Sequence, residues 1–251
     1  MPSRLYASMV RSTDCILPSG AYLDAILGEA ADTTLCHKLK TMNVLYDIHT
    51  HNDCDYENVI SVRNVFVSNS IPAELPTLYS ASVHPWYVGR DWKKLLEENT
   101  GMIEKSAFIG ECGLDKLRSH LDIDEQILLF SEMAQIAERM GKPMIIHCVK
   151  AFSELLAVHK QIKPSVPWII HGFRGKPQQM NQLISKGMYI SFGISFNAES
   201  LALCPTDKIL FETDEYGGSV LDVYRKASEV THIPLETLVQ FIAHNYLEVK
   251  K

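Results

Sequence analysis

Short apolar runs recur along this chain, most of them bounded by polar or turn-forming residues. Val44-Leu45-Tyr46 opens the series and leads into Asp47-Ile48-His49-Thr50-His51. Val59 to Val67 is β-branched and reads as strand in its second half. Leu78 to Val83 reads as strand ending at His84-Pro85-Trp86, and Ala107 to Glu111 as strand running into Cys112-Gly113-Leu114-Asp115. Trp92 to Glu104 is helix-like. Ile123 to Met140 is the clearest helix: Ile123, Ile127, Ala134 and Ala137 keep the helical period. Asp122 with Glu125 resembles a capping box, and Gly141 and Pro143 stop the helix. A regular alternation follows. Strands are expected at Met144 to His147, Val166 to His171, Met188 to Phe192 and Lys208 to Glu212. Helices are expected at Ala151 to Gln161, Pro177 to Lys186 and Val220 to Val230, with another opening at Pro234.

The last four strand starts, 144, 166, 188 and 208, stand 22, 22 and 20 residues apart. Near-continuous apolar strands are buried on both faces, as in parallel sheets. Eight such strands alternating with helices predict an α/β chain folded as a TIM-type (β/α)8 barrel. The ten residues between Val67 and Leu78 carry Pro72 and Pro76 and leave no room for a full helix, so helices are shortened around strands 2–3. A doubly wound open sheet is the alternative, weakened because no Gly-rich phosphate loop follows the first strand. The barrel is expected over 42–251. Residues 1–41 read as an extension, either preceding the true start or forming a loosely packed helix near Ala21 to Ala31.

Composition narrows the options. The chain has 251 residues, 46% hydrophobic, and a formal net charge of −6. That charge argues against a groove-reading DNA-binding module, though not against a site that takes phosphate through bound cations. No apolar run approaches the roughly 18 residues needed to span a membrane, and no secretory signal is read. Six cysteines show neither a CxxC pair nor a disulfide framework, so a reducing cytoplasm is the expected compartment. No obligatory protein partner is evident.

Strand ends carry the chemistry. His49 and His51 are two apart on a strand and so share a face. Alone they would also suit a surface loop. Glu111, His147, His171 and Asp214 fall at or just after the ends of strands four, five, six and eight. A barrel aims strand C-termini into one mouth, and six buried polar groups gathered there would be costly without partners. A metal pair supplies them.

The ordered motifs DIHTH (47–51), SVHPW (82–86), GECGLD (110–115), IHCVKA (146–151), HGFRG (171–175) and ETD (212–214) resemble the TatD-like metal-dependent hydrolases of the amidohydrolase superfamily. Gln126 and Phe130 also fit that family, and the resemblance covers roughly 44 to 247. It implies a TIM-type barrel with one or two divalent ions. His49, His51 and Asp214 would hold one ion, His147 and His171 the other, and Glu111 would bridge them. Two ions about 3.5–4 Å apart would activate a water and polarise a phosphoryl oxygen. Asp214 would take and shuttle the proton, with Glu111 the other catalytic carboxylate.

His84 and Lys150 are the candidate phosphate contacts; a structural role for His84 beside Pro85 stays open. The family usually has Arg where Lys150 stands, so a bidentate clamp becomes a point charge. The family commonly follows its last Asp with a small residue and Pro, where this chain has Glu215-Tyr216-Gly217-Gly218. The implied activity is a phosphodiesterase or deoxyribonuclease, exonuclease-like, using Zn, Mg or Mn. Small phosphoester, lactone or amide hydrolysis competes with it, as does a non-catalytic metal-binding scaffold.

Overall fold

The computed structural model describes residues 44–52, 56–67 and 74–251; the expected extension at 1–41 lies outside them. Eight parallel strands pair in chain order: β1 (Leu45–Thr50), β2 (Val59–Phe66), β3 (Tyr79–Ser82), β4 (Phe108–Asp115), β5 (Met144–Val149), β6 (Trp168–Ile170), β7 (Tyr189–Phe192) and β8 (Ile209–Phe211). The sheet curls until Thr50, at the end of β1, bridges Asp214, just past β8. This is the expected TIM-type barrel.

Helices follow β3 onward: α1 (Trp92–Glu98), α2 (Thr100–Lys105), α3 (Ile123–Met140), α4 (Phe152–Ile162), α5 (Pro177–Ile184), α6 (Ala198–Leu203), α7 (Val220–Thr231) and α8 (Leu235–Val249). Among the described residues no helix separates β1 from β2 or β2 from β3. None is long and apolar enough to cross a membrane.

Local chemistry accounts for the boundaries. Asp122 accepts the Glu125 N–H at 2.9 Å and opens α3; Gly141, at φ 62°, closes it in the left-handed conformation that glycine tolerates. The expected single helix from Trp92 to Glu104 is instead two. Asn99 donates its side-chain amide to the Leu95 carbonyl at 2.8 Å, and the Thr100 hydroxyl reaches the Leu96 carbonyl at 3.0 Å. Such side chains compete with the helix ladder. The short α6 was not expected; Asn197 caps it by accepting from Ser200 N–H at 3.0 Å.

β4 runs four residues beyond its expected end at Glu111, because buried Cys112, Gly113 and Leu114 keep pairing with a β5 that itself extends to Val149. Ile109 pairs with Met144 and Cys112 with Ile146, three steps on β4 against two on β5. β4 therefore bulges at Gly110-Glu111, and bulges re-aim side chains. Beyond it, Gly113 is indispensable: a Cβ there would stand 1.9 Å from the His147 carbonyl oxygen, and φ is 149°.

Helices seal the wall from outside. Phe130 of α3 meets Trp168 of β6 with ring centroids 5.3 Å apart, both buried. Fully burying such a side chain contributes about 1.5–3 kcal/mol. Tyr224 of α7 packs on Phe211 at 4.7 Å. Its hydroxyl accepts the Tyr46 N–H at 3.1 Å and donates to the Tyr46 carbonyl at 3.2 Å.

Candidate metal centre

The strand ends converge on one carboxylate. Glu111 is buried on β4, and its two oxygens face different groups. Oε1 lies 2.8 Å from His171 Nε2, 2.9 Å from His147 Nδ1 and 3.1 Å from His84 Nε2. Oε2 lies 3.4 Å from both His49 Nε2 and His51 Nε2. Asp214 Oδ1 completes the second set, 3.8 Å from His49 Nε2 and 3.5 Å from His51 Nε2. His147 Nδ1 and His171 Nε2 stand 3.3 Å apart. All six expected donors thus meet, though Glu111 sits mid-strand on a bulge rather than at a tip.

A cation fits this arrangement. His49 is wholly buried, and neither ring nitrogen has a hydrogen-bond partner. Its Nε2 faces Glu111 Oε2 without the alignment of a hydrogen bond. An orphaned buried nitrogen between two carboxylates calls for an explanation. Two ligands about 2.1 Å from a tetrahedral ion stand roughly 3.4 Å apart, close to the spacings around His49, His51, Glu111 and Asp214.

A second layer holds the donors. His147 turns Nε2 to Asp115 Oδ2 at 3.0 Å, and His171 turns Nδ1 to Glu212 Oε1 at 3.4 Å. A carboxylate behind a ligand imidazole fixes its tautomer and orientation. Glu212 Oε1 also accepts the Gly172 N–H at 2.6 Å. Asp47 accepts from Thr213 twice, from its N–H at 2.9 Å and its hydroxyl at 2.7 Å.

Sequence reasoning missed Asp47, Asp115 and Glu212 as functional groups. The signal was available for two of them: Asp47 precedes His49, and Glu212 precedes Asp214, by two positions in a buried segment where a lone carboxylate is rare.

Protonation follows from burial and neighbours. Burial would raise Glu111, but the imidazoles of His171 and His147 hold its carboxyl well below the usual range. Burial would lower His171, yet Glu111 and Glu212 raise it well above an ordinary histidine. Burial, reinforced by Glu212, pushes the Asp214 carboxyl up. Burial carries Asp47 up to about 7.

His84 is buried against Glu111; its Nδ1 accepts the Trp86 N–H at 3.2 Å, so Nε2 carries the proton. Lys150 is exposed, at φ 55°, just past β5. Both line a cavity of about 980 Å3 that opens over Glu111, and exposed Glu215 shares its rim.

Residues 73–250 match the family model described as TatD related DNase. The chain is 30% identical over 184 residues to the 3'-5' ssDNA/RNA exonuclease TatD of Shigella flexneri, spanning 66% of this chain and 68% of that protein. It is 29% identical over 188 residues to a putative deoxyribonuclease TATDN1 homolog of Enterocytozoon bieneusi, spanning 69% and 66%. Other curated exonucleases of the same name are matched over 56% of their length. Among solved structures, the Escherichia coli TatD homolog YJJV superposes with a TM-score of 0.65 at 19% identity, covering 83% of this chain and 98% of that one. A TatD family hydrolase from Entamoeba histolytica gives 0.59 at 18% identity, over 86% and 79%. Both share the barrel described above. The chain belongs to the TatD-related DNase family.

Proposed function

We propose that this chain is a divalent-metal-dependent phosphodiesterase that removes nucleotides from the ends of single-stranded DNA. One observation carries the reading: the two oxygens of Glu111 are divided between two sets of donors. His49, His51 and Asp214 would hold one ion and His147 and His171 the other, with Glu111 between. Mixed imidazole and carboxylate donors suit zinc, magnesium or manganese. When bound, such ions lower the pKa of a water and draw charge from a phosphoryl oxygen. The exonucleases to which the chain is similar support a nucleic-acid substrate.

The chain's own groups do the rest. Asp214 Oδ1 faces both His49 and His51 at the wall of the cavity. It takes the proton of the attacking water and returns it to the leaving oxygen. His84 Nε2–H donates to Glu111 Oε1 at 3.1 Å, and with that oxygen turned to an ion it would be free to donate to an arriving phosphate oxygen. Lys150 adds a positive charge from the open side. Asp115 and Glu212 keep the His147 and His171 rings aimed inward.

The test is digestion of a single-stranded oligonucleotide. Chelation with EDTA and the variant Asp214→Asn each abolish nucleotide release. Wild-type cleavage that survives exhaustive chelation sinks the reading. A second reading, hydrolysis of small esters, is favoured by Glu215 at the cavity rim and the net charge of −6. Under it, excess single-stranded DNA leaves small-ester turnover unchanged.

A further inference from the structure

Asp115 does more than orient His147. It is the last residue of β4, and its Oδ1 accepts the backbone N–H groups of Leu117 at 2.7 Å and Arg118 at 3.0 Å. Its Oδ2 accepts the Trp86 indole N–H at 2.6 Å while facing His147 Nε2 at 3.0 Å. One carboxylate therefore fixes the turn that carries Arg118, the indole beside it and a ring of the metal centre. The Arg118 guanidinium lies 3.5 Å from the centroid of the Trp86 ring.

Arg118 is exposed and lines the same cavity as Glu111 and His147. Among the described residues its guanidinium meets no carboxylate, whereas Lys116, two positions earlier, is taken up by Glu154 at 2.6 Å. A planar cation stacked on an aromatic face, on a pinned turn, has lost much of the freedom that binding would otherwise remove. Its open fork matches the geometry of a phosphate. The cavity, at about 980 Å3, is far larger than one phosphate needs. Tyr87 at its mouth is 54% exposed and offers a ring face on which an unpaired base can stack.

The geometry points to Arg118 as the anchor for a second phosphate of the same single strand, one whose neighbouring phosphate lies at the Glu111 centre. This rests on the phosphodiesterase reading above and adds to it a contact one nucleotide away from the scissile bond. In a chain of net charge −6, strand attraction must come from such local cations.

The experiment compares wild type, Arg118→Ala and Arg118→Lys. It uses binding of a fluorescently labelled oligothymidylate across a salt series, and turnover of that strand and of bis(p-nitrophenyl) phosphate. Arg118→Ala keeps the bond to Asp115, which uses the backbone N–H, so the turn persists. It weakens strand binding about tenfold and lowers the slope of log affinity against log salt by about 0.7. Its KM rises several times more for the strand than for the small diester. Arg118→Lys restores the slope but only part of the affinity. Unchanged strand affinity and slope in Arg118→Ala, or equal losses on both substrates, overturn the assignment. Wild type that cleaves the small diester but binds no strand also overturns it and leaves a hydrolase. Arg118-dependent strand binding without any diester cleavage supports the anchor and removes the catalytic reading.

Discussion

The two halves of the candidate metal centre hang from differently built walls. His147 and Glu111 stand on β5 and β4, which pair over five register positions from Ile109 opposite Met144 to Asp115 opposite Val149. His49, His51 and Asp214 stand on the seam between β1 and β8, where a single bridge joins Thr50 to Asp214. Two backbone bonds serve that seam: His51 N–H to the Asp214 carbonyl at 3.0 Å, and Asp214 N–H to the His49 carbonyl at 2.9 Å. Side chains supply the remainder. The Thr213 hydroxyl lies 2.7 Å from both Asp47 Oδ2 and Thr50 Oγ1. β1 is laddered to β2 on its other side, but across the seam that places Asp214 against His49 and His51 a side-chain clasp supplements two backbone bonds, so the two half-sites should fail in different ways.

Removing the shared element has the largest expected effect. Glu111→Ala deprives both halves at once, and activity should fall by at least about 10³-fold, with metal content dropping at both positions. Elemental analysis and turnover check this; retention of one full equivalent of tightly held metal would refute the bridging role.

Thr213→Val comes next and separates the walls. It removes the hydroxyl from the clasp and leaves Asp47 with one partner fewer, costing about 1–3 kcal/mol in urea unfolding. Metal should be lost first from the His49, His51 and Asp214 side. Equal loss from both sides would mean that the seam is not the weaker support.

Asp115→Asn probes the opposite wall. It should cost about 10–100-fold in activity or metal affinity and act on the His147 side. A titration in which only the His49 side weakens would contradict this.

The smallest expected effect lies away from both walls. Glu138 on α3 accepts from Ser165 N–H at 3.0 Å, its hydroxyl at 2.7 Å and Val166 N–H at 3.1 Å. Although its partial burial works the other way, these bonds hold its carboxyl below the usual 4.5. A carboxyl depressed in the folded state stabilises above its unfolded pKa, and that contribution is lost as pH falls through the folded value. Glu138→Gln should therefore be about 1 kcal/mol less stable at pH 7, with the gap closing as pH falls below the ordinary 4.5. A gap independent of pH would show that the charge is not responsible.

The barrel was legible because buried parallel strands read as apolar runs, and α3 was read to its ends because Asp122 and Gly141 mark them. The six donors were legible because His, Glu and Asp are scarce in such runs. The extent of β4 was hidden: Glu111 looks like a strand end until Cys112, Gly113 and Leu114 are seen buried against β5. With Glu111 read as the end of its strand, nothing local to the sequence tied Asp115 to His147. Trp86 and Arg118 were similarly opaque, since their stacking joins the turns after β3 and β4 across 32 positions, 86 to 118.

The phenol of Tyr224 deserves to be read as surrogate backbone. A strand at the barrel's seam would ordinarily leave Tyr46 looking to a neighbour for both a donor and an acceptor, but one oxygen from α7 answers both. Helix α7 thus answers for the seam at the Tyr46 end of β1. The two backbone bonds between the strands fall at the opposite end, where they clamp Asp214 beside His49 and His51, so the closure of the barrel and the seating of its chemistry are one event.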